Sequence, residues 1–331
     1  MARPPKPVYR PPEEQLALFP GVSGNTVNGL GETGVRRPSP IYWHYGDIEM
    51  PHKALQDYYL RHFDAKPELA DFHLKYGGRG GRKAPERLAV PAEDTPANWA
   101  RRVKAHARAH EADLVGIARV RPEWVFEGYE VTEPWIVMLG VAMDHTELAK
   151  APETPSAVEV IRQYNRGTRA AREVANFIQG RGYSARPHGG PMAGPMLLIP
   201  PAIECGIGEL GKHGSMINRT YGSSFRLAGV LTDLPLVADA PDVFGADDFC
   251  TSCQICTTAC PPDAIFREKQ TVRGVEKWFV DFDKCIPYFN DTQGCGICIA
   301  ACPWSTPGRA PRMAEKMSAR RLERSVADRS E

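Results

Sequence analysis

Cysteine spacing constrains this chain more than any other feature, because eight of its nine cysteines lie between positions 250 and 302. A first run with the spacing C-x₂-C-x₂-C-x₃-C, followed directly by Pro261, consists of Cys250, Cys253, Cys256 and Cys260. A second, less regular set, followed by Pro303, consists of Cys285, Cys295, Cys298 and Cys302. Three thiols on one short loop must face a common centre, so this region folds around something that the thiols bind.

The first run has the spacing of bacterial two-cluster ferredoxins, in which the fourth cysteine ligates the other cluster. A regular second run would have a cysteine at position 292, but Thr292 is there, and Cys285 replaces it after a longer loop. We therefore assign one [4Fe–4S] cluster to Cys250, Cys253, Cys256 and Cys302. We assign a second [4Fe–4S] cluster to Cys260, Cys285, Cys295 and Cys298.

Zinc sites and disulfides are the alternatives for these cysteines. Zinc sites usually pair two C-x₂-C units and rarely show this run closed by a proline. Disulfides need an oxidising compartment and are usual in short, cysteine-dense chains. The spacing therefore favours two iron–sulfur clusters.

Charge and hydropathy limit the partners that we expect. The net charge of +1 gives no bulk electrostatic reason for binding nucleic acid or a membrane surface. No run of about 18 apolar residues is present, so we expect no membrane span. The first residues, Met1 to Pro7, lack the apolar stretch of a secretory signal. Together with free thiols, this predicts a cytoplasmic protein without a membrane partner.

We divide the chain into four segments: an extension that wraps the core (1–93), a core (94–240), a two-cluster ferredoxin-like module (241–307) and a charged tail (308–331). Periodicity predicts an α/β (α+β) core with helices over 95–110 and 155–180 and strands over 114–120, 135–143, 196–199 and 225–232. Aromatic residues gather in the extension, at Tyr42, Trp43, Tyr45, Tyr58, Tyr59 and Phe63. They indicate a helix over 51–63 that packs on the core or, alternatively, a wall for a flat ligand. A short helix interrupted by glycines is expected over 202–214.

The segment PPAIECGIGELGKHGSMINRTYGSSFRLAGVLTDLPL, residues 200–236, resembles the reductive dehalogenase family. That family also carries a ferredoxin run followed by a shortened second set of cysteines. The residues around 143–145 and 182–185 resemble it as well, so the resemblance extends over roughly 95–305. Epoxyqueuosine reductase is a more distant relative with the same core and cluster order.

The resemblance implies a nitroreductase-like core that binds cobalamin base-off, beside the nearer of two [4Fe–4S] clusters. Such binding does not use the D-x-H-x-x-G motif, from which Asp71-Phe72-His73 departs because Gly77 comes one residue too late. By ferredoxin order the inner cluster is the one on Cys260, Cys285, Cys295 and Cys298. The residues that the resemblance places at cobalamin are Met143, Gly206, Gly208, Glu209, Gly211 and Met216.

The resemblance also implies a catalytic pair, in which a tyrosine protonates the carbon that loses halide and a lysine or arginine assists it. Lys212 matches the basic residue, whereas His145 stands where the tyrosine is expected. Histidine titrates near pH 6.5 and can donate a proton, although a neighbouring cation favours its neutral form. Asp144 is the alternative donor, because a carboxylic acid serves in the epoxyqueuosine relatives.

The expected function is therefore reductive removal of halide from a small organohalide, with electrons from a separate donor such as a ferredoxin, a flavodoxin or a reductase. One alternative is a related reductase that acts on an epoxide of a modified tRNA base. The other alternative is an electron-transfer protein without catalysis, whose front domain only docks a partner.

Overall fold

The computed structural model describes residues 9–44, 48–70, 88, 90–190 and 194–327, without the side chains of 325–327. The segment with Asp71, His73 and Gly77 lies outside the described residues. Among those described, no helix combines the length and the apolar character that crossing a bilayer requires.

The core is a four-stranded antiparallel sheet with the strand order β1-β2-β6-β3. Its strands are β1 (Leu114–Arg119), β2 (Trp135–Ala142), β3 (Ala185–His188) and β6 (Phe225–Thr232). Side chains of a strand alternate between the two faces of a sheet, and β2 is buried on both. Val137 and Leu139 face one hydrophobic cluster, whereas Ile136 and Met138 face another. The sheet is therefore the middle layer of the core.

Two helices cover the first face of the sheet. Helix α4 (Pro96–Ala109) begins at Thr95, whose side chain accepts a hydrogen bond from the Asn98 N–H, and proline follows in the first turn. Helix α6 (Thr154–Gln179) is the longest in the described chain, and Gly182 follows its end with a φ of +88°. Both helices and the strands over 114–119, 135–142 and 225–232 confirm the elements expected from periodicity.

The second face is covered differently from the expectation. Residues 196–199 form no strand, because Met196 makes only an isolated bridge to Val125 and helix α7 (Ile199–Glu204) starts at once. The glycine segment then forms a two-stranded hairpin, β4 (Glu209–Leu210) with β5 (Met216–Ile217), in place of a helix reaching residue 214. The apolar run 196–199 is too short for its periodicity to separate a strand from a helix start.

The cysteine-rich region folds as short elements around its thiols. These elements are α8 (Ala246–Ser252), α9 (Ile255–Ala259), the hairpin of β7 (Gln270–Val272) and β8 (Val275–Lys277), α10 (Phe282–Asp291) and α11 (Ile297–Ala300). The last helix, α12 (Arg309–Ala327), was expected to be a solvated tail. It instead buries Ala310, Ala314 and Met317 in the hydrophobic cluster that contains Cys250 and Cys302.

The N-terminal residues contact the cysteine-rich region as well as the core. They contain α1 (Glu13–Leu16), α2 (Gly24–Val27) and α3 (Lys53–Asp64), the last of which confirms the helix expected over 51–63. Gln15 donates to the carbonyl of Pro287 at 3.1 Å, and the Tyr42 hydroxyl donates to Asn290 at 2.7 Å. These bonds hold the extension against α10, next to Cys285.

Candidate active site

The structure brings the thiols together in the two sets expected from spacing. Burial raises the pKa of Cys250 to about 12, and the charges of Cys302, Cys256 and Cys253 raise it further. Burial likewise raises the pKa of Cys285 to about 12, with Cys295 and Cys260 as the next causes. Buried thiols of this kind stay protonated unless a metal centre compensates their charge.

The separation of the thiols differs from that of a single-ion site. Zinc with four thiolates at 2.3 Å holds the sulfur atoms roughly 3.8 Å apart. Among the described residues, His106, His110 and Glu173 are the three side chains whose possible ligand atoms all lie within 4.8 Å of one another. No three cysteine sulfur atoms of the described chain lie that close together. All nine cysteines are free of disulfides. The wider spacing suits a larger centre such as an iron–sulfur cube.

The two sets adjoin each other. Burial raises the pKa of Cys298 well above its usual range, and the thiols that raise it further include Cys256 of the other set. Both cysteines lie on short helices, α9 and α11, that pack together. An electron could therefore pass between centres bound at the two sets.

A cavity of about 500 Å³ lies beside the second set. Cys285 lines it, together with Phe282, Ile286 and Phe289 of the same helix, α10. The opposite walls come from the N-terminal extension, from 196–199 and from the sheet, and include Tyr42, Trp43, Met196, Met216 and Phe225. Tyr42 and Trp43 of the extension thus line the cavity, whereas Tyr59 and Phe63 of α3 pack in a hydrophobic cluster.

Two polar side chains face each other in this cavity. Tyr164, on α6, and Arg226, on β6, both line it, and the Arg226 guanidinium carbon lies 5.3 Å from the centre of the Tyr164 ring. Arg226 Nε is buried without a hydrogen-bond partner among the described residues. A phenol and an under-satisfied cation at one apolar cavity form a pair that can donate a proton and bind an anion.

Neighbouring phenols are already engaged. Tyr42 donates its proton to Asn290, and Tyr59 donates to the carbonyl of Gln293 at 3.3 Å. Burial also raises the pKa of Tyr59 far above its usual value, with a smaller contribution from Tyr164 and an opposing one from Arg226. Tyr164 is therefore the phenol that is placed to serve the cavity.

The residues expected to form the catalytic pair lie elsewhere. Lys212 is 1 % exposed and its Nζ lies 4.8 Å from the centre of the Trp278 ring, beside the first cysteine set. His145 begins a short helix, α5 (His145–Leu148), where burial lowers its pKa. Asp144 caps that helix by accepting the Thr146 N–H at 2.8 Å. None of the three lines the cavity, and no hydrogen bond or ion pair joins them to Arg226 or Tyr164 within the described chain.

Of the residues expected at cobalamin, Met216 lines the cavity. Met143 is buried with Leu148 and Ile299, next to Cys298. Glu209 is occupied elsewhere, because its carboxylate accepts the backbone N–H groups of Phe244, Gly245 and Ala246 at 2.8–3.0 Å and that of Asp247 at 3.4 Å. An anion at this place stabilises the N-terminus of α8, so Glu209 supports the first cysteine set from outside the cavity.

The expected glycines approach the protein's own backbone. A Cβ on Gly208 would lie 2.1 Å from the carbonyl oxygen of Ile217, and one on Gly206 would lie 2.6 Å from that of Ala240. Gly211 donates its N–H to Ser215 across the hairpin at 2.8 Å. Tight turns and close packing of the chain on itself account for these three positions.

Sequence reasoning missed Tyr164 and Arg226. Tyr164 lies inside a long amphipathic helix and belongs to no local motif. Arg226 carries a signal that could have been used, because it interrupts the otherwise apolar strand Phe225–Thr232. A charged residue in a buried strand needs a partner or a ligand.

Comparisons with known proteins agree with this arrangement. A family model described as a 4Fe-4S dicluster domain matches residues 249–306. The tetrachloroethene reductive dehalogenase of Desulfitobacterium hafniense is 31% identical over 207 residues, which are 58% of this chain and 37% of that protein. The one from Sulfurospirillum multivorans is 27% identical over 262 residues, 65% of this chain and 52% of the relative. An epoxyqueuosine reductase from Leadbetterella byssophila is 35% identical over 125 residues, 33% of this chain and 37% of the relative.

The fold is that of a solved reductive dehalogenase. The catabolic reductive dehalogenase NpRdhA superposes with a TM-score of 0.70 at 23% identity, over 92% of this chain and 46% of that one. The chain thus spans about a third to a half of the length of these relatives. The resemblance to reductive dehalogenases is confirmed, and this chain is a mixed helix and strand protein of that fold with a 4Fe-4S dicluster domain.

Proposed function

We propose that this protein is a cobalamin-dependent oxidoreductase that removes halide from a small organohalide. The observation that carries the proposal is the cavity itself, which has Cys285 on one wall and the pair of Tyr164 and Arg226 on others. A pocket with that lining connects a redox centre to a proton donor and an anion site. The similarity to reductive dehalogenases supports the same activity.

Two [4Fe–4S] clusters fit the thiol sets, because each set is a group of four buried or half-buried thiols that is too widely spaced for one zinc ion. Cys250, Cys253, Cys256 and Cys302 would hold the outer cluster, and Cys260, Cys285, Cys295 and Cys298 the inner one. Bound there, the clusters would supply single electrons at low potential. The assignment of the second set as the inner one is supported by Cys285, which borders the cavity.

Cobalamin fits the cavity by the character of its walls. Aromatic and aliphatic side chains such as Trp43, Met216 and Phe289 offer a broad apolar surface, as ligand pockets commonly do. Base-off binding over a nitroreductase-like core is the form that the family implies. When bound, the corrinoid would supply a strongly reducing cobalt that acts on the carbon–halogen bond.

The protein's own groups would manage the proton and the halide. In the net reaction, the carbon–halogen bond breaks, two electrons and one proton are consumed, and a carbon–hydrogen bond and a halide ion are formed. Tyr164 donates the proton from its hydroxyl oxygen, and Arg226 stabilises both the resulting phenolate and the departing halide. The surrounding apolar walls exclude water, which strengthens these charge interactions.

The proposal is tested by turnover under anaerobic conditions. Protein reconstituted with iron, sulfide and cobalamin is reduced with an artificial donor and given 3-bromo-4-hydroxybenzoic acid, a compound that the related NpRdhA binds, or tetrachloroethene. We expect halide release well above that of free cobalamin at the same concentration. Release equal to free cobalamin with both substrates would contradict the proposal.

Reduction of a tRNA epoxide is the second candidate, supported by the similarity to epoxyqueuosine reductase. It is less well supported, because the cationic side chains that line the cavity are Arg226 and Arg273, far fewer than a channel for RNA backbone needs. A purely electron-transferring role leaves the cavity and its polar pair without a purpose. A separate electron donor and a cytoplasmic location complete the proposal.

A further inference from the structure

Lys212 is a buried cation without a visible counter-charge. Only 1 % of the residue is exposed, and its Nζ has no hydrogen-bond partner among the residues that the structure describes. Lysine is almost never fully buried unless it is paired, and a buried, unpaired ammonium costs several kcal/mol. Something negative must therefore lie beside it in the functional protein.

The surroundings of Lys212 identify that negative partner. Its backbone N–H donates a hydrogen bond to the Cys250 thiol. Its Nζ lies 4.8 Å from the centre of the Trp278 ring, and Trp278 packs in the same hydrophobic cluster as Cys250 and Cys302. Lys212 thus lies beside the first cysteine set. A cube held by four thiolates is an anion in both of its oxidation states, so it supplies the missing counter-charge.

Within the part of the chain that the structure describes, no cation is among the causes that shift the pKa values of Cys285, Cys295 and Cys298 in the second set. The pKa values of Cys285 and Cys298 are raised by burial and then by other thiols. The lysine next to Cys285 in sequence, Lys284, is more than half exposed and lies 3.7 Å from the Asp281 carboxylate. A buried cation without a hydrogen-bond partner among the described residues thus adjoins the first set, whereas the lysine next to Cys285 is exposed and paired.

We propose that Lys212 is a positioning residue for redox chemistry, which raises the reduction potential of the cluster held by Cys250, Cys253, Cys256 and Cys302. Reduction adds a negative charge to the cluster, and a nearby cation stabilises the reduced form more than the oxidised form. Lys212 thereby makes the outer cluster the better electron acceptor. This inference rests on the clusters of the proposed function, but not on cobalamin or substrate.

Lys269 provides a matched control on the same aromatic ring. Its Nζ lies 5.5 Å from the centre of the Trp278 ring, but it is partly exposed and forms an ion pair with Asp247 at 2.7 Å. Replacing Lys269 by Met removes a lysine from the same indole without removing a buried, unpaired charge. Any effect of general repacking around Trp278 should appear in both variants.

The test is a redox titration of the reconstituted protein without cobalamin, followed by electron paramagnetic resonance. In Lys212→Met we expect one of the two cluster signals to become harder to reduce, by about tenfold in the one-electron equilibrium constant, which is 59 mV. The midpoint potential of the other signal, and those of both signals in Lys269→Met, should equal the potentials of the parent protein. Unchanged potentials in Lys212→Met at full iron content would overturn the inference.

A variant that loads poorly still gives an answer. If Lys212→Met binds only one cluster, Lys212→Arg decides, because it keeps the charge and changes the shape. Full loading with the parental potentials in Lys212→Arg supports a requirement for charge. A single cluster in Lys212→Arg as well would show that the site needs the shape of lysine, and would overturn the inference. Because neither measurement uses an organohalide, failure here is distinct from failure of the dehalogenase proposal.

Discussion

Arg226 and Lys212 are two cations that each have a buried nitrogen without a hydrogen-bond partner within the described chain, yet their surroundings differ. Arg226 borders a cavity and faces the Tyr164 ring. Lys212 is enclosed by protein between Trp278 and the first cysteine set. The first arrangement suits an anion that arrives and leaves, and the second suits one that is resident. Both side chains carry the same charge, so the roles that we propose for them differ because Arg226 borders the cavity and Lys212 does not.

The largest expected effect concerns the proton donor. Tyr164→Phe removes the hydroxyl and keeps the ring that lines the cavity, so cofactor content should not change. General acid catalysis contributes a factor of about 100 to 10,000, and we expect halide release per reconstituted chain to fall by that factor. The matched control is Tyr42→Phe, whose hydroxyl is bound to Asn290 and which should stay within about tenfold of the parent. If halide release fell further in Tyr42→Phe than in Tyr164→Phe, Tyr42 and not Tyr164 would be the proton donor.

Replacing Arg226 by Gln tests the anion site. Loss of one preorganised charge at a reacting centre typically costs about 100- to 1,000-fold in kcat, and we expect a decrease of that size with an unchanged iron and cobalt content. Lys212→Gln should reduce turnover less than Arg226→Gln. Equal turnover losses in the two variants would remove the distinction between the two cations.

The pH dependence of stability tests the hairpin that carries Lys212. Burial lowers the pKa of His213 to about 4, while its Nδ1 accepts the Ser215 N–H at 3.2 Å. The folded-state pKa lies below the unfolded value near 6.5, so protons bind the unfolded chain preferentially. The contribution of His213 to stability is full above pH 6.5 and is lost as the pH falls towards 4.

We therefore expect the free energy of unfolding to fall by roughly 2 kcal/mol more in the parent than in His213→Gln between pH 7.5 and pH 5. Anaerobic urea titrations of both proteins at the two pH values provide the measurement. Parallel losses in the two proteins would show that His213 is not the group responsible.

A smaller effect is expected at the support of the first cysteine set. Glu209→Gln weakens the bonds to four backbone N–H groups at the start of α8 and should cost about 2 kcal/mol of unfolding free energy. The control, Glu204→Gln, removes a partly exposed ion pair with Arg121 and should cost less than about 1 kcal/mol. If Glu209→Gln were no more destabilising than its control, the cap would not support this region.

The cysteine sets could be predicted from sequence because, in ferredoxin spacing, the fourth cysteine of each run joins the first three of the other run. The thiols that shift the pKa values of Cys250 and Cys285 are the ones that this rule assigns to each set. Long helices and strands were likewise predictable, since α6 and β2 keep a clear periodicity over many residues. Short elements such as α7 were not, because four apolar residues fit either structure.

The pair that we propose for catalysis could not be predicted in the same way. Tyr164 and Arg226 come together only because α6 packs along β6, a tertiary contact without a local pattern. Lys212 was assigned from a local sequence that resembles a motif, and the hairpin of β4 and β5 places it beside the cysteines instead of the cavity. A motif identifies a residue type, whereas packing decides which site the side chain reaches.

The central claim is that the cavity beside the second cysteine set is a corrinoid site, and cobalt stoichiometry tests it most directly. Protein reconstituted with iron and sulfide is incubated anaerobically with reduced cobalamin, passed through gel filtration, and analysed for cobalt and iron. We predict about one cobalt retained per chain, as one corrinoid bound in the cavity beside Cys285 implies. Protein that carries its full iron content but leaves all of the cobalt behind on the column would contradict the account.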